Sequence, residues 1–168
     1  MRMMALSILL LASATAMAAA DATASSPTRN TTVYGDWRLT CSTQAAVERC
    51  SVSQLQSDPE SGQRALAIEF QSGEAGGLNG VLALPFGLAL PRGVLLALDD
   101  AAPGKDAHGF STCLPDGCIV PLRFDAEGVK RLRASRQLKV HAIAAADGTH
   151  MVFQISLEGF GEAIDQFK

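Results

Sequence analysis

Apolar and polar positions alternate from Val33 to Cys41: Val33, Gly35, Trp37, Leu39 and Cys41 share one face, and Tyr34, Asp36, Arg38 and Thr40 share the other. That period of two predicts a first, half-buried strand with the lone tryptophan facing inward. Residues Gln44 to Glu48 then turn the chain, and Cys50 to Gln56 return beside the first strand. A third strand follows, with Leu66, Ile68 and Phe70 alternating against Ala65, Ala67 and Glu69. The segment Gly80 to Asp99 is the most apolar part beyond the N-terminus, yet Pro85 and Pro91 exclude one long helix. It predicts short strands joined at two similar corners, Pro85-Phe86-Gly87 and Pro91-Arg92-Gly93, with Leu88-Ala89-Leu90 as a buried strand between them.

Strand patterns continue up to Cys113 and again from Cys118 to Phe124. Asp125 then has the character of a helix N-cap, and Val129 and Leu132 place one apolar face on a short helix over 126–134. Leu138, Val140 and Ala142 define the inward face of the next strand, and Met151, Phe153, Ile155 and Leu157 that of its neighbour. Asp147-Gly148 between them is a hairpin signal. Phe160, Ala163, Ile164 and Phe167 recur at near-helical spacing and predict a terminal turn of helix that closes the core. The sum is an all-β fold, an antiparallel sandwich or barrel of about eight or nine strands with one or two short helices.

The first 20 residues stand apart from this pattern. Arg2, the apolar run Met3 to Ala12 and a small-residue tail make a secretory signal peptide, too short for a membrane span. Residues 21–32 read as a flexible Ser/Thr-rich lead and 33–168 as a single domain, with no transmembrane segment after signal removal. Of 14 basic residues only Arg2 lies in the signal, so 13 face 17 acidic ones and the exported part carries a net charge of −4. Nucleic acid is therefore not an expected partner, because such binding depends on neutralising phosphates.

Four cysteines, Cys41, Cys50, Cys113 and Cys118, in an exported chain read first as two disulfides. Three connectivities are open, and the local pairs 41–50 and 113–118 are favoured because each encloses a turn-capable segment, Pro115-Asp116-Gly117 in the second. The spacings miss the usual zinc-ribbon pattern, and there is no C-x-x-C redox motif.

Catalytic and cofactor signatures are not found. The loop Gly73-Glu74-Ala75-Gly76-Gly77 lacks the lysine and hydroxyl of a phosphate cradle and reads as a hairpin loop. His108, His141 and His150 show no metal-ligating spacing, and no G-x-S-x-G elbow is present. No metal and no cofactor is expected. Two candidate binding features remain. Lys130, Arg131, Arg133, Arg136 and Lys139 form the one dense basic cluster, suited to an anionic group or acidic partner if it is more than a solvated helix face. Phe86, Leu88 and Leu90 are expected inside, since a small domain needs its apolar residues in the core; left outside, they would form a patch for a partner protein or membrane. Arg92 at the second corner is expected to be exposed.

With these residues in place, the sequence resembles the invasion-associated locus B family of exported alphaproteobacterial proteins. The resemblance runs from Tyr34-Gly35-Asp36-Trp37 and Cys41 through Cys50 to Ile155-Ser156-Leu157-Glu158-Gly159-Phe160. Its most specific parts are the segment Leu84 to Val94 and the segment Phe110 to Cys118. It implies a periplasmic or surface-associated all-β domain without a known catalytic centre, some of whose relatives are linked to entry into host cells. The expected function is non-enzymatic binding of an envelope or host protein. The alternative is a small-ligand carrier or enzyme with a loop-built site near Arg92, Asp99 and His108. Oligomeric state is left open.

Overall fold

The computed structural model describes residues 28–167 except 45, 46, 61 and 63, so the expected signal peptide lies outside the described residues. Among the described residues ten strands form two antiparallel sheets, accompanied by two α-helices. The larger sheet contains β1 (Thr28–Tyr34), β2 (Trp37–Gln44), β3 (Val47–Ser57), β4 (Arg64–Ser72), β5 (Leu78–Leu84), β7 (Thr112–Leu114) and β8 (Gly117–Phe124). Its order is β1-β2-β3-β4-β5-β8-β7. The smaller sheet, ordered β10-β9-β6, contains β6 (Leu95–Leu98), β9 (Gln137–Ile143) and β10 (His150–Ser156). Helix α1 (Ala126–Ala134) follows β8, and α2 (Phe160–Ile164) follows β10.

One hydrophobic core fills the space between the sheets. It takes Trp37 and Leu39 from β2, Leu66, Ile68 and Phe70 from β4, Leu138, Val140 and Ala142 from β9, and Phe160, Ala163 and Ile164 from α2. Period-two alternation placed the strand residues correctly, because each sheet has one face on the core, and near-helical spacing placed those of α2. Asp125 caps α1 as expected, its Oδ1 accepting from the Gly128 amide at 2.7 Å. Val129 and Leu132 point into the core from that helix.

The first and central segments depart from the sequence pattern. Residues 33–41 are not one strand: the chain reverses at Gly35-Asp36, Tyr34 pairs with Trp37, and Val33 is exposed on β1. Gly35 has a φ of 52°, a left-handed conformation that suits a two-residue hairpin turn. Strand pairing therefore begins at Thr28, inside the stretch expected to be a flexible lead. In the central segment Leu88-Ala89-Leu90 is not a strand. The chain leaves the large sheet after Leu84, touches the small one only through a bridge from Leu88 to Ala144, turns once at Leu90–Arg92 and enters β6. Two prolines six residues apart leave too few amide donors for a ladder, so the segment serves as the crossing between sheets.

Both local disulfides are present, Cys41–Cys50 and Cys113–Cys118. Each joins residues directly opposite each other in an antiparallel pair, β2 with β3 and β7 with β8. Cys41 continues the inward face of Trp37 and Leu39, and Cys50 that of Val52. Replacing Cys41 and Cys50 together by serine is expected to lower unfolding free energy by about 2–3 kcal/mol, from the loop entropy returned to the unfolded chain. Urea midpoints measured with and without the bridge check this, and equal midpoints would contradict it.

Candidate functional site

The outer face of the large sheet carries an apolar row. Strand register sets Leu55, Ala67, Ala83 and Ile119 side by side across β3, β4, β5 and β8. None of these side chains has a polar atom, and Leu55 is 62% exposed. The adjoining row adds Val81, 47% exposed, beside Pro121. A solvated sheet face normally alternates to polar residues at such positions. The inversion is sharpest on β3, where Gln54 is buried and Leu55 faces out.

Gln54 has a specific reason to be inside. Its Nε2 donates to the Ser156 carbonyl of β10 at 3.0 Å, and its Oε1 accepts from Gln56 Nε2 at 2.8 Å. Gln56 Nε2 also donates to the Gln154 carbonyl, so the two glutamines tie the large sheet to an otherwise open edge of the small one. With Gln54 turned inward, Leu55 must point to solvent.

Phe86 extends the row at the sheet's end. It is 60% exposed, and Leu90 is 39% exposed, whereas Leu88 at 5% is buried. The expectation that all three pack inside therefore holds for Leu88 alone. The Pro85 corner carries Phe86 past the last pairing of β5 and out over a groove of about 600 Å³, bounded by Leu55, Pro85, Phe86, Pro115, Arg64 and Asp116. Arg64 and Asp116 approach to 3.8 Å at its rim. The groove thus sets apolar side chains beside a charged pair, a mixture common to protein interfaces.

Three members of the basic cluster are held in separate ion pairs. Lys130 pairs with Glu127 on its own helix, and Lys139 with Asp100. Arg133 holds Asp165 through Nη2, at 2.8 and 3.0 Å to the two carboxylate oxygens, and donates to the Gly161 carbonyl, so it fastens α2 to α1. The backbone amides of Arg136 and Gln137 donate to Asp99 Oδ1. Asp99 is thereby committed to the link between α1 and β9. Arg92 is exposed in the turn at Leu90–Arg92, and His108 pairs through its backbone with Val94.

Two histidines that the sequence left separate are brought together by the β9–β10 pairing. His141 Nδ1 lies 3.3 Å from His150 Nε2, and His141 Nε2 is buried without a partner. Burial holds the His141 imidazole below the ordinary histidine range, with the His150 and Lys139 charges adding to the effect. Cys41, Glu48 and Cys50 also converge, but the two sulfurs are bonded to each other and offer no thiolate to a metal.

Among the described residues no helix is long and apolar enough to cross a membrane. In overall structure the chain is similar to the crystal structure of invasion associated protein b from Bartonella henselae. The TM-score is 0.74 and the identity 30%, over 82% of this chain and 93% of that one. In sequence it is 40% identical over 135 residues to an invasion protein B homologue of Brucella abortus (strain 2308), covering 80% of this chain and 77% of the relative. Invasion protein B of Bartonella bacilliformis is 31% identical over 136 residues, covering 80% and 72% respectively. The family model described as invasion associated locus B (IalB) protein matches residues 37–168, and the chain belongs to that family.

Proposed function

We infer that this protein is exported and acts without catalysis, binding an envelope or host protein through the apolar face around Phe86. The observation that carries this reading is the row Leu55, Ala67, Ala83 and Ile119, continued by Phe86 and bordered by the Arg64–Asp116 pair. Leaving large apolar side chains in water costs a small domain core material, and a face of this kind is characteristic of a contact surface. Two disulfides are the chemistry of an oxidising compartment. The relatives named for invasion support a role at the bacterial envelope or beyond it.

The test is photo-crosslinking in intact cells, with a benzophenone amino acid at position 86 and, as control, at position 31 on the polar part of the same sheet. One recurrent protein captured from position 86 and not from position 31 is the expected result. The double variant Phe86→Ser, Leu55→Ser should then weaken that complex by about tenfold or more, as truncating central apolar contacts does. Because the contact is apolar, its affinity should change little between low and high salt. Equal capture from both positions, or none from either, would overturn this assignment of the face.

A further inference from the structure

We propose that a second site, sharing no residue with the Phe86 groove, binds a free medium-chain aliphatic carboxylate between β6 and α1. The cavity there is about 330 Å³. Leu96, Leu98, Phe124 and Leu132 supply apolar walls, and His108 and Arg131 are the polar side chains. A mostly apolar hollow with few polar groups is the usual form of a small-molecule site, and this volume lies at the lower end of the size range.

The opening follows from the topology. β6 has only four residues and sits at the edge of the three-stranded sheet, so it cannot reach across to α1. Leu96 and Leu98 face the core, yet both are only partly buried. The loop after β6 is held over this edge, with Ala101 N donating to the Leu98 carbonyl and Gly104 N to the Leu96 carbonyl. These bonds satisfy the Leu96 and Leu98 carbonyls, which would otherwise repel an anionic head group from the strand edge.

Charge identifies the class of ligand. Lys130, Arg133 and Lys139 each have a carboxylate partner, whereas Arg131 has no ion pair among the described residues. An unpaired guanidinium at an apolar hollow suits a carboxylate, which it can hold through two parallel hydrogen bonds. His108 adds a second nitrogen donor on the same cavity. A neutral hydrocarbon would fill the walls and leave Arg131 unused, and a hydrophilic anion such as phosphate would leave the leucines in water.

The experiment titrates the protein with octanoate, 1-octanol and acetate, following leucine methyl resonances by NMR. Octanoate is expected to saturate with shifts centred on Leu96, Leu98 and Leu132, and to bind more tightly than octanol. Affinity should rise about fourfold for each methylene added from hexanoate to octanoate. Arg131→Ser should weaken octanoate by about tenfold and change octanol by less than twofold, while Arg131→Lys falls between, keeping the charge and losing the paired hydrogen bonds. Ala102→Trp, on the exposed loop, should block both ligands without touching the core. The proposal is overturned if octanol binds as well as octanoate, or if Arg131→Ser leaves octanoate unaffected. Shifts centred elsewhere, or association with anionic lipid vesicles in the absence of any octanoate binding, would also overturn it.

Discussion

Gly159→Ala is expected to destabilise the protein by roughly 4 kcal/mol, enough to unfold much of the population of an ordinary domain. Gly159 has a φ of 80°, and a β-carbon placed on it would lie 2.1 Å from the Tyr34 carbonyl oxygen. The left-handed conformation alone costs an alanine about 1–2 kcal/mol. The remainder comes from forcing apart two pieces of backbone, the hairpin turn between β1 and β2 and the turn between β10 and α2. These are pinned together by the Asp36 amide, which donates to the Glu158 carbonyl at 3.1 Å. Gly148→Ala is the matched control, since Gly148 has a φ of 75° but nothing within 4 Å of its β-carbon. Urea unfolding followed by Trp37 fluorescence should show Gly159→Ala losing at least about 2 kcal/mol more than Gly148→Ala, the part assigned to steric displacement. Equal losses would mean that the close approach is not a constraint on the fold.

That contact also explains why distant sequence segments carry the family resemblance. Tyr34-Gly35-Asp36-Trp37 and Leu157-Glu158-Gly159-Phe160 are more than 100 residues apart, and they meet through Gly35, Gly159, Asp36 and Glu158. The other two signatures meet in the same way. Gly117 of the Cys113–Cys118 hairpin has a φ of 135° and lies against the Leu84 carbonyl at the start of the proline-rich crossing, where a β-carbon would come within 2.5 Å. In both pairs of motifs a glycine holds two chain segments in close backbone contact.

Strands and core were legible because a one-sided sheet imposes period two on its sequence. β4 and β9 follow that rule residue by residue, α1 follows the helical period through Val129 and Leu132, and the local disulfides follow from the hairpins that enclose them. The exposed face was not legible, for an identifiable reason. Gln54 and Leu55 exchange the usual roles of polar and apolar residues because Gln54 turns inward to donate to the Ser156 carbonyl of β10, a long-range pairing that no local pattern contains. The inverted pair was nonetheless a signal: an apolar residue out of phase on a strand marks either a register error or a surface with a use. Phe86, expected inside because a small domain needs its apolar residues in the core, is exposed because the Pro85 corner carries it past the last pairing of β5. Within the basic cluster, Lys130, Arg133 and Lys139 are paired with Glu127, Asp165 and Asp100, which reach it from three parts of the chain.

Trp37 supplies the second large effect. Its side chain is fully buried, with ring centroids 4.8 Å from Phe160 and 6.0 Å from Phe70. Its Nε1 donates to the Ser156 carbonyl at 2.9 Å, so one residue joins the large sheet, β10 and α2. Trp37→Ala should cost about 3–5 kcal/mol through the cavity it leaves. Trp37→Phe should cost much less, about 1–2 kcal/mol, because an aromatic ring still fills the site. Another reason is that the Ser156 carbonyl keeps its hydrogen bond from Gln54 Nε2. This shared acceptor makes a further outcome testable: combining Trp37→Phe with Gln54→Leu removes both donors and leaves the carbonyl unsatisfied. The double variant should lose about 1 kcal/mol more than the sum of the single ones. Far-UV circular dichroism during urea unfolding gives all four stabilities without relying on the tryptophan. Additive losses would show that water or a rearranged side chain reaches the Ser156 carbonyl.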